Sequence, residues 1–166
     1  LIDDDPTVEL DFSGCHPRFL YARIGKAFKG DPYVIPGLAK DDAKKIFTRL
    51  INSASQRSYG RILANAQKET NPKNKIYDQR KPKELKELIE DAHPDIKHFL
   101  CNGLGLELMY QDSQIAEQVL LKFSKMKEGI VCLHDGFRVR GEMEDKLRRI
   151  MKKAHKHIIG FDPVIK

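Results

Sequence analysis

The sequence predicts an α+β fold in which a small antiparallel sheet, made of one strand and a hairpin, is packed with several helices. Residues 7–12 alternate between polar and apolar side chains, as a half-buried strand does. Helical periodicity fills the middle of the chain from about residue 39. Near the C terminus a short apolar run meets Asp135-Gly136, a strong hairpin signal, and a last helix follows. The order strand, helices, hairpin, helix is typical of α+β domains.

The composition is that of a soluble globular chain. The 166 residues are enough for one domain with a single core, and 30 basic against 24 acidic residues give a net charge of +6. That excess is consistent with a polyanionic partner such as nucleic acid, although many plain soluble proteins are as basic. The chain begins without Met, directly before the first strand. We therefore expect residues 1–166 to be a single domain taken from a larger protein.

The cysteines and the lack of targeting signals predict a location. Cys15, Cys101 and Cys132 are widely spaced and form no CxxC or Cys/His pattern, which argues against a structural zinc. Lone cysteines are typical of a reducing compartment. No signal peptide or membrane span is visible. The sequence predicts a cytoplasmic protein with no membrane partner, and it leaves the oligomeric state open.

The first strand and helix follow from alternation and breakers. The apolar face of the strand carries Val8, Leu10 and Phe12. Asp11 lies on the opposite, polar face. Ser13-Gly14 ends the strand, and Pro17 suits the first turn of a helix that stops near Gly25.

The middle of the chain predicts three further helices. One covers about 39–67, with Gly60 as a point of division, and a polar loop follows over 68–81. Pro82 opens the next helix. A longer helix ends at Gly129, and its apolar stripe is formed by Leu108, Ile115, Ala116, Val119, Leu120 and Phe123.

The hairpin and the last helix complete the fold. Ile130 to Leu133 has the composition of a buried strand, and Phe137 and Val139 lie in the returning strand. The last helix spans about 142–157. Its outer face is basic, with Lys146, Arg148, Arg149, Lys152, Lys153 and Lys156.

Two aspartates stand at the polar tips of these strands. Asp11 ends the first strand, and Asp135 lies at the hairpin. If the first strand lies beside the hairpin, the two carboxylates meet. Paired carboxylates in such a position hold divalent metal ions for phosphoryl transfer.

The settings of both aspartates resemble polymerase motifs. The segment Asp11-Phe12-Ser13 resembles motif A of the family A DNA polymerases, which contains Asp-Tyr-Ser, four variable residues and Arg. Arg18 lies seven residues after Asp11, which is the separation in that motif. His134-Asp135-Gly136-Phe137 resembles motif C, and in the single-subunit RNA polymerases that motif is His-Asp-Ser-Phe. The chain is also similar to phage- and plasmid-type bacterial proteins that begin with Asp-Tyr-Ser-x-x-His-Pro-Arg and end with His-Asp-Ser-Phe.

The resemblance implies a palm domain and a DNA polymerase-like nucleotidyltransferase, acting in the replication of DNA or of a mobile element. In that family two Mg²⁺ ions, for which Mn²⁺ can substitute, are held by the two aspartates and catalyse phosphoryl transfer. Carried over, Asp11 and Asp135 are the catalytic metal ligands, and the backbone carbonyl of Phe12 is a further ligand. Arg18 supports the site, and His134 lies near the primer end. The implied partners are a DNA primer-template, or an RNA, and nucleoside triphosphates.

The remaining implied contacts concern the nucleotide and the primer. His16 takes the place of the motif A Glu that excludes ribose, which leaves the choice of dNTP or rNTP open. The resemblance implies reduced fingers over about 38–81, where Lys40 and Lys44 are candidates for triphosphate contacts and Lys45 and Arg49 are alternatives. Gln111 corresponds to a primer-strand Gln.

The sequence also departs from the family. Gly136 stands where family A DNA polymerases have Glu, and Tyr59-Gly60 comes too late for the usual fingers motif. Two other functions therefore stay open. One is a non-catalytic nucleic-acid-binding module built on a degenerate palm. The other is a metal-dependent nuclease, in which Glu9, on the same strand face as Asp11, supplies a third carboxylate.

Overall fold

The structure is a computed structural model and describes residues 5–166. Its three strands are β1 (Thr7–Asp11), β2 (Val131–Leu133) and β3 (Gly136–Arg140). Its six α-helices are α1 (Cys15–Arg23), α2 (Lys40–Asn52), α3 (Tyr59–Lys68), α4 (Pro82–Ala92), α5 (Gly105–Met126) and α6 (Glu144–Ile159). Short 3₁₀ turns occupy Lys97–Phe99 and Gly141–Met143. The predicted α+β fold class is confirmed.

The chain divides into two compact units. The sheet unit comprises the N-terminal segment to Ala27 together with Leu108–Lys166, and the helical unit comprises Phe28–Glu107. The sheet unit contains all three strands, α1, α6 and most of α5. The helical unit contains α2, α3 and α4.

The sheet has the order β1-β3-β2 and is antiparallel throughout. Leu10 pairs with Phe137 and Asp11 pairs with Gly136 across β1 and β3. Leu133 pairs with Gly136 on the other side of β3. The first strand therefore lies directly beside the hairpin, as the meeting of the two aspartates requires.

One face of the sheet is covered by α6, which contacts both β1 and β3. Phe12 links the layers, because its ring lies edge-on to Phe137 at 6.4 Å and 5.5 Å from the ring of His155. Leu10, Phe12 and Phe137 are all buried, while Glu9 is exposed. The predicted alternation of β1 is confirmed.

The C-terminal residues add a second partner to the end of β1. The N–H groups of Asp11 and Ser13 donate to the carbonyls of Lys166 and Val164, at 3.0 and 2.8 Å. The N–H of Lys166 donates back to the Asp11 carbonyl at 3.0 Å. Nothing in the local sequence pattern of 160–166 predicts this pairing, which holds the segment around Asp11 from both sides.

The helical unit is built around α2. Its inward side chains are fully buried, and Phe47 contacts the rings of Tyr33 and His93 at 6.1 and 5.6 Å. The His93 ring is also held by a 2.8 Å hydrogen bond between Nε2 and the Pro32 carbonyl. The predicted helix over 39–67 is two helices, since residues 53–58 separate α2 from α3 and Gly60 lies inside α3.

Two details of the hairpin differ from the prediction. Strand β2 is exposed along its whole length instead of buried, because it forms the edge of the sheet. The Asp-Gly signal indicates a turn at Asp135-Gly136, whereas the two-residue loop is His134-Asp135, the pair that motif C has at its tip. The left-handed conformation falls on His134, with φ 55°. Gly136 belongs to the strand instead.

No α-helix in the described part of the chain is both long and apolar enough to cross a membrane.

Candidate functional site

Asp11 and Asp135 come together at one end of the sheet. Asp11 is the last residue of β1 and pairs with Gly136, the residue directly after Asp135. The N–H of Phe12 donates a hydrogen bond to the Asp135 carbonyl at 3.2 Å. The backbone of Asp135, in the hairpin loop, is therefore held next to the end of the strand that carries Asp11.

Gly136 is required by the position of the Asp11 side chain. A Cβ atom at 136 would lie 1.7 Å from Oδ1 of Asp11 and 3.1 Å from the Leu10 carbonyl. The Asp11 carboxylate thus lies over the backbone of the residue that follows Asp135. This gives a physical reason for the glycine at the position where the sequence departs from the polymerase motif.

A third carboxylate, which the sequence analysis did not single out, belongs to the same cluster. Asp112 on α5 lies close enough to Asp135 for the two charges to interact. Burial, with a contribution from the Asp135 carboxylate, raises the pKa of Asp112 to about 6. Asp112 is therefore a carboxyl group whose charge depends on what is bound beside it.

The sequence did hold a signal for Asp112. On α5 the buried positions are Leu108, Ile115, Val119 and Phe123. Asp112 lies four residues after Leu108 and three before Ile115, so it occupies the apolar stripe of the helix. A carboxylate that interrupts such a stripe is either paired or functional.

Two thiols border the cluster and are kept protonated. Burial raises the pKa of Cys15 well above its ordinary value, and the carboxylates of Asp112 and Asp135 raise it further, against a lowering by Arg18. Burial and Asp112 also raise the pKa of Cys132. Neither thiol is a nucleophile at neutral pH, because the thiolate is the reactive form.

Arg18 and Gln111 take part in the architecture around the site. Arg18 Nε donates to the Ser13 carbonyl at 2.8 Å and so holds the turn that follows Asp11. Gln111 accepts a hydrogen bond from Arg23 Nη2 at 3.2 Å, which ties α5 to α1 next to Asp112. Gln111 is thus engaged with a side chain of α1, and a role at a primer strand stays a prediction.

The two histidines named from the motifs belong to α1 and to the hairpin loop. His16 is half-buried in α1, with its ring 6.2 Å from that of Phe19. His134 is exposed at the hairpin loop, where its carbonyl accepts a contact from Cys132 Sγ at 3.8 Å. Their predicted roles stay predictions.

Lys40 and Lys44 belong to the helical unit. Lys40 is paired with Asp31 at 2.6 Å, whereas Lys44 is exposed and lines a cleft on that unit. The alternatives Lys45 and Arg49 line the same cleft.

Glu9, the third carboxylate of the nuclease hypothesis, is engaged elsewhere. It lies opposite Arg138 in the β1–β3 ladder and forms an ion pair with that guanidinium. Asp112, not Glu9, is the additional carboxylate whose charge interacts with Asp135.

Asp11 and Asp135 carry oxygen donors, which is the ligand type that Mg²⁺ prefers in proteins. Within residues 5–166 no three His, Cys, Asp or Glu side chains are grouped closely enough to enclose a metal ion by themselves. Mg²⁺ in enzymes that act on phosphates usually takes one or two carboxylates, with phosphate oxygens and water completing the shell. Asp11 and Asp135 are two carboxylates whose backbones lie side by side, and Asp112 lies near Asp135.

Comparisons with known proteins add no assignment. No family model matches this chain, and a search of curated proteins finds no significant match.

Proposed function

We propose that this chain is a template-directed nucleotidyltransferase, of the DNA polymerase type, that uses Asp11 and Asp135 for two-metal phosphoryl transfer. The observation that carries the proposal is the register of the sheet. It pairs Asp11 with Gly136, so the two motif aspartates are brought to one end of adjacent strands. The resemblance of both segments to polymerase motifs A and C gives that pair its chemical meaning.

Each residue has a task that follows from its position. Asp11 and Asp135 would hold Mg²⁺ or Mn²⁺, and the Phe12 carbonyl would complete the protein ligands. Arg18 is a positioning residue, because its bond to the Ser13 carbonyl fixes the turn after Asp11. Asp112 adds negative charge beside Asp135 when a cation is present to stabilise its ionised form.

Bound divalent ions would supply the activation of the attacking hydroxyl and the neutralisation of charge on the phosphates. The proposed partners are a primed DNA or RNA template and nucleoside triphosphates. Neither the sugar of the nucleotide nor the type of template is fixed by the residues around the site, since His16 replaces the family's ribose-excluding Glu.

Primer extension tests this proposal. The purified chain is offered primed DNA and RNA templates with Mg²⁺ or Mn²⁺, and dNTPs and rNTPs are supplied separately. Extension is expected with at least one combination of template and nucleotide. Asp11→Asn and Asp135→Asn are each expected to reduce it by about a hundred- to a thousandfold, as loss of a group that stabilises transition-state charge does. Glu9→Gln is the matched control, because Glu9 lies on the same strand face but is paired with Arg138.

Two results would speak against the proposal. Extension that persists in both aspartate variants would remove the carboxylates from catalysis. A folded wild-type chain that binds primed template without extending it, with the same affinity in Asp11→Asn, would favour a non-catalytic binding module.

A metal-dependent nuclease remains the second candidate, and Asp112 is the observation that favours it. A further carboxylate next to a metal-binding pair can help to activate water instead of a primer hydroxyl. The same reactions without nucleotides distinguish the two functions, because a nuclease shortens the labelled primer or template and a polymerase leaves both intact.

A further inference from the structure

The helical unit carries a basic cleft of its own. It has a volume of about 870 Å³ and lies between α2 and the loop that follows α3. Helix α2 contributes Lys44, Lys45 and Arg49, and the loop contributes Lys73, Asn74 and Tyr77. Its size is at the upper end of the range for small-molecule sites, so it has room for more than one phosphate group.

The loop wall of this cleft is fixed by buried and half-buried polar contacts. The carboxylate of Asp42, which is buried, accepts hydrogen bonds from the N–H groups of Tyr77 and Asp78 at 3.2 and 3.1 Å. Lys45 Nζ donates to the Lys75 carbonyl at 2.8 Å. Arg49 Nη2 bonds Glu69 Oε2 at 2.8 Å. The cleft is therefore preformed by the fold of the unit.

The charge of the cleft is positive. Four cations line it, against the two carboxylates of Asp41 and Glu69, and Glu69 is already neutralised by Arg49. Lys44 and Lys73 are exposed and form no ion pair with any of the residues that the structure describes. Their ammonium groups are available to an anionic ligand.

An aromatic platform lies beside these cations. The Tyr77 side chain is 57% exposed, which is unusual for a large ring held on a fixed backbone. The ammonium groups of Lys45 and Lys75 lie 5.4 and 5.8 Å from the centre of its ring. These two cations lie over part of the ring, and the exposed remainder can stack a base while Lys44 and Lys73 bind the phosphates on either side of that base.

From this geometry we propose that the cleft on α2 binds a single strand of nucleic acid, with Lys44 and Lys73 contacting backbone phosphates and Tyr77 stacking a base. Single strands are bound without sequence preference by this combination of a basic groove and an exposed aromatic ring. A duplex hides its base faces and could use the lysines but not the ring. The inference goes beyond the proposed function, because it concerns binding by the helical unit and needs no metal or catalysis.

The test is fluorescence anisotropy of labelled dT12 with the full chain in EDTA, over 50–300 mM KCl. Lys44→Ala combined with Lys73→Ala is expected to weaken binding at least about tenfold and to lower the slope of log K against log salt by about 1.4, for two lost phosphate contacts on a single strand. Tyr77→Leu is expected to weaken binding about tenfold with an unchanged slope, and Tyr77→Phe to retain the wild-type affinity.

The matched control is Lys68→Ala combined with Lys97→Ala, which removes the same charge from exposed lysines of the helical unit outside the cleft. Full affinity of this control supports the site. An equal loss in the control, or an unchanged affinity in both cleft variants, would overturn it. Displacement of dT12 by free dTTP at matched nucleotide concentration would also overturn it, in favour of a mononucleotide site.

The outcome is independent of the proposed catalysis. Asp11→Asn combined with Asp135→Asn leaves the cleft intact, so this variant is expected to bind dT12 with the same dependence on Lys44, Lys73 and Tyr77. Loss of primer extension with retained binding supports both proposals. A wild-type chain that binds dT12 through the cleft but extends no primer supports the cleft and contradicts the polymerase.

Discussion

At the scale of single residues, Asp11 and Gly136 have to be considered together. The Asp11 carboxylate occupies the space that any side chain at 136 would need. The sequence alone shows only that a family motif is broken at this position. The pairing of Asp11 with Gly136 explains why a larger residue is excluded, because the conflict arises between positions 125 residues apart in the chain.

Gly136→Ala is expected to reduce metal-dependent activity at least about tenfold while the protein stays folded. The new Cβ atom would lie 1.7 Å from Asp11 Oδ1, so the carboxylate has to turn away from its present position. A displacement of about 1 Å in a catalytic group costs on the order of a hundredfold in rate. The measurement is the initial rate of primer extension, with thermal unfolding to check the fold.

Gly141→Ala serves as the control for that substitution. It lies directly after the same strand, and its Cβ atom would meet only the Pro6 carbonyl at an ordinary 3.6 Å. An equal loss of activity in both variants would show that the hairpin tolerates no added methyl group, and the specific role given to Gly136 would be wrong.

Asp112→Asn is expected to stabilise the metal-free protein at pH 7.5 by about 1–2 kcal/mol, after allowance for its partial exposure. In the folded chain the pKa of Asp112 is raised from 3.8 to about 6. The stability contributed by the neutral form is therefore complete below about pH 4 and is lost as the pH rises through 6. The neutral Asn side chain avoids that loss.

The two proteins are compared by urea unfolding in EDTA at pH 4 and pH 7.5. The two proteins are expected to have similar free energies of unfolding at pH 4, and the variant a higher one at pH 7.5. Millimolar Mg²⁺ should reduce this difference, because it stabilises the ionised carboxylate of the wild type. A variant that is less stable than the wild type at pH 7.5 would contradict the cost of ionising Asp112 in its buried position beside Asp135.

At the scale of elements, the strand that carries Asp11 was predictable and its neighbours were less so. The alternation over 7–12 is local, and it identified the buried face of β1 correctly. Strand β2 was predicted to be buried because Val131 and Leu133 are apolar, yet both are exposed. Position at the edge of a sheet depends on strand order, which local composition does not contain.

Helix α6 supports β1 through a buried histidine. The His155 ring lies 5.5 Å from Phe12 and 5.6 Å from Phe19, and its Nδ1 is 2.8 Å from the Phe161 carbonyl. A histidine near the end of a helix can interact favourably with the helix dipole, but His155 does not lie at the surface. It is instead only 2% exposed, because it fills the space beneath the strand that carries Asp11.

His155 is expected to make the protein sensitive to acid. Burial, with Arg18 adding to it, lowers the pKa of His155 below 6.5, against opposing effects of the Phe161 carbonyl and Asp162. A histidine with a lowered pKa stabilises the fold above its unfolded pKa, and that stability is lost as the pH falls from about 6.5 toward the folded pKa. The Tm of His155→Gln should therefore fall less between pH 7.5 and pH 5.5 than the Tm of the wild type. For a chain of this size, each kcal/mol of unfolding free energy corresponds to about 2–4 °C in Tm.

His157→Gln is the control on the same helix, because His157 is exposed. It should keep the wild-type drop in Tm. If His155→Gln and His157→Gln behave alike, burial of the His155 ring is not the cause of the acid sensitivity.

At the scale of the whole molecule, the sequence predicted the fold class, and it named the condition for the motif aspartates to meet, a first strand beside the hairpin, which the sheet order fulfils. Both follow from features that are visible in short segments, namely strand alternation, a hairpin signal and helical stripes. The division into a sheet unit and a helical unit was not predicted, and neither was the basic cleft of the helical unit. These depend on how the loop over 69–77 folds back on α2 through Asp42 and Lys45, which are contacts over about 30 residues.

The candidate site, too, was only partly predictable from the sequence, as Asp112 shows. Its place on the apolar stripe of α5 is visible in the sequence, but its proximity to Asp135 is a property of the folded sheet unit. The polymerase resemblance pointed to the two motifs, to Lys40 and Lys44, and to Gln111, but it left out Asp112, the carboxylate next to Gln111 in the chain.

The most direct measurement is Mn²⁺ binding, followed by electron paramagnetic resonance, to the wild type, Asp11→Asn, Asp135→Asn and Glu9→Gln in the presence of a nucleoside triphosphate. If Asp11 and Asp135 are paired ligands, the wild type and Glu9→Gln bind Mn²⁺ beyond the binding of the free triphosphate. Both aspartate variants then lose this binding. Equal binding in all four proteins, or no binding by the wild type beyond that of the free triphosphate, would contradict a metal site at the end of β1 and the hairpin.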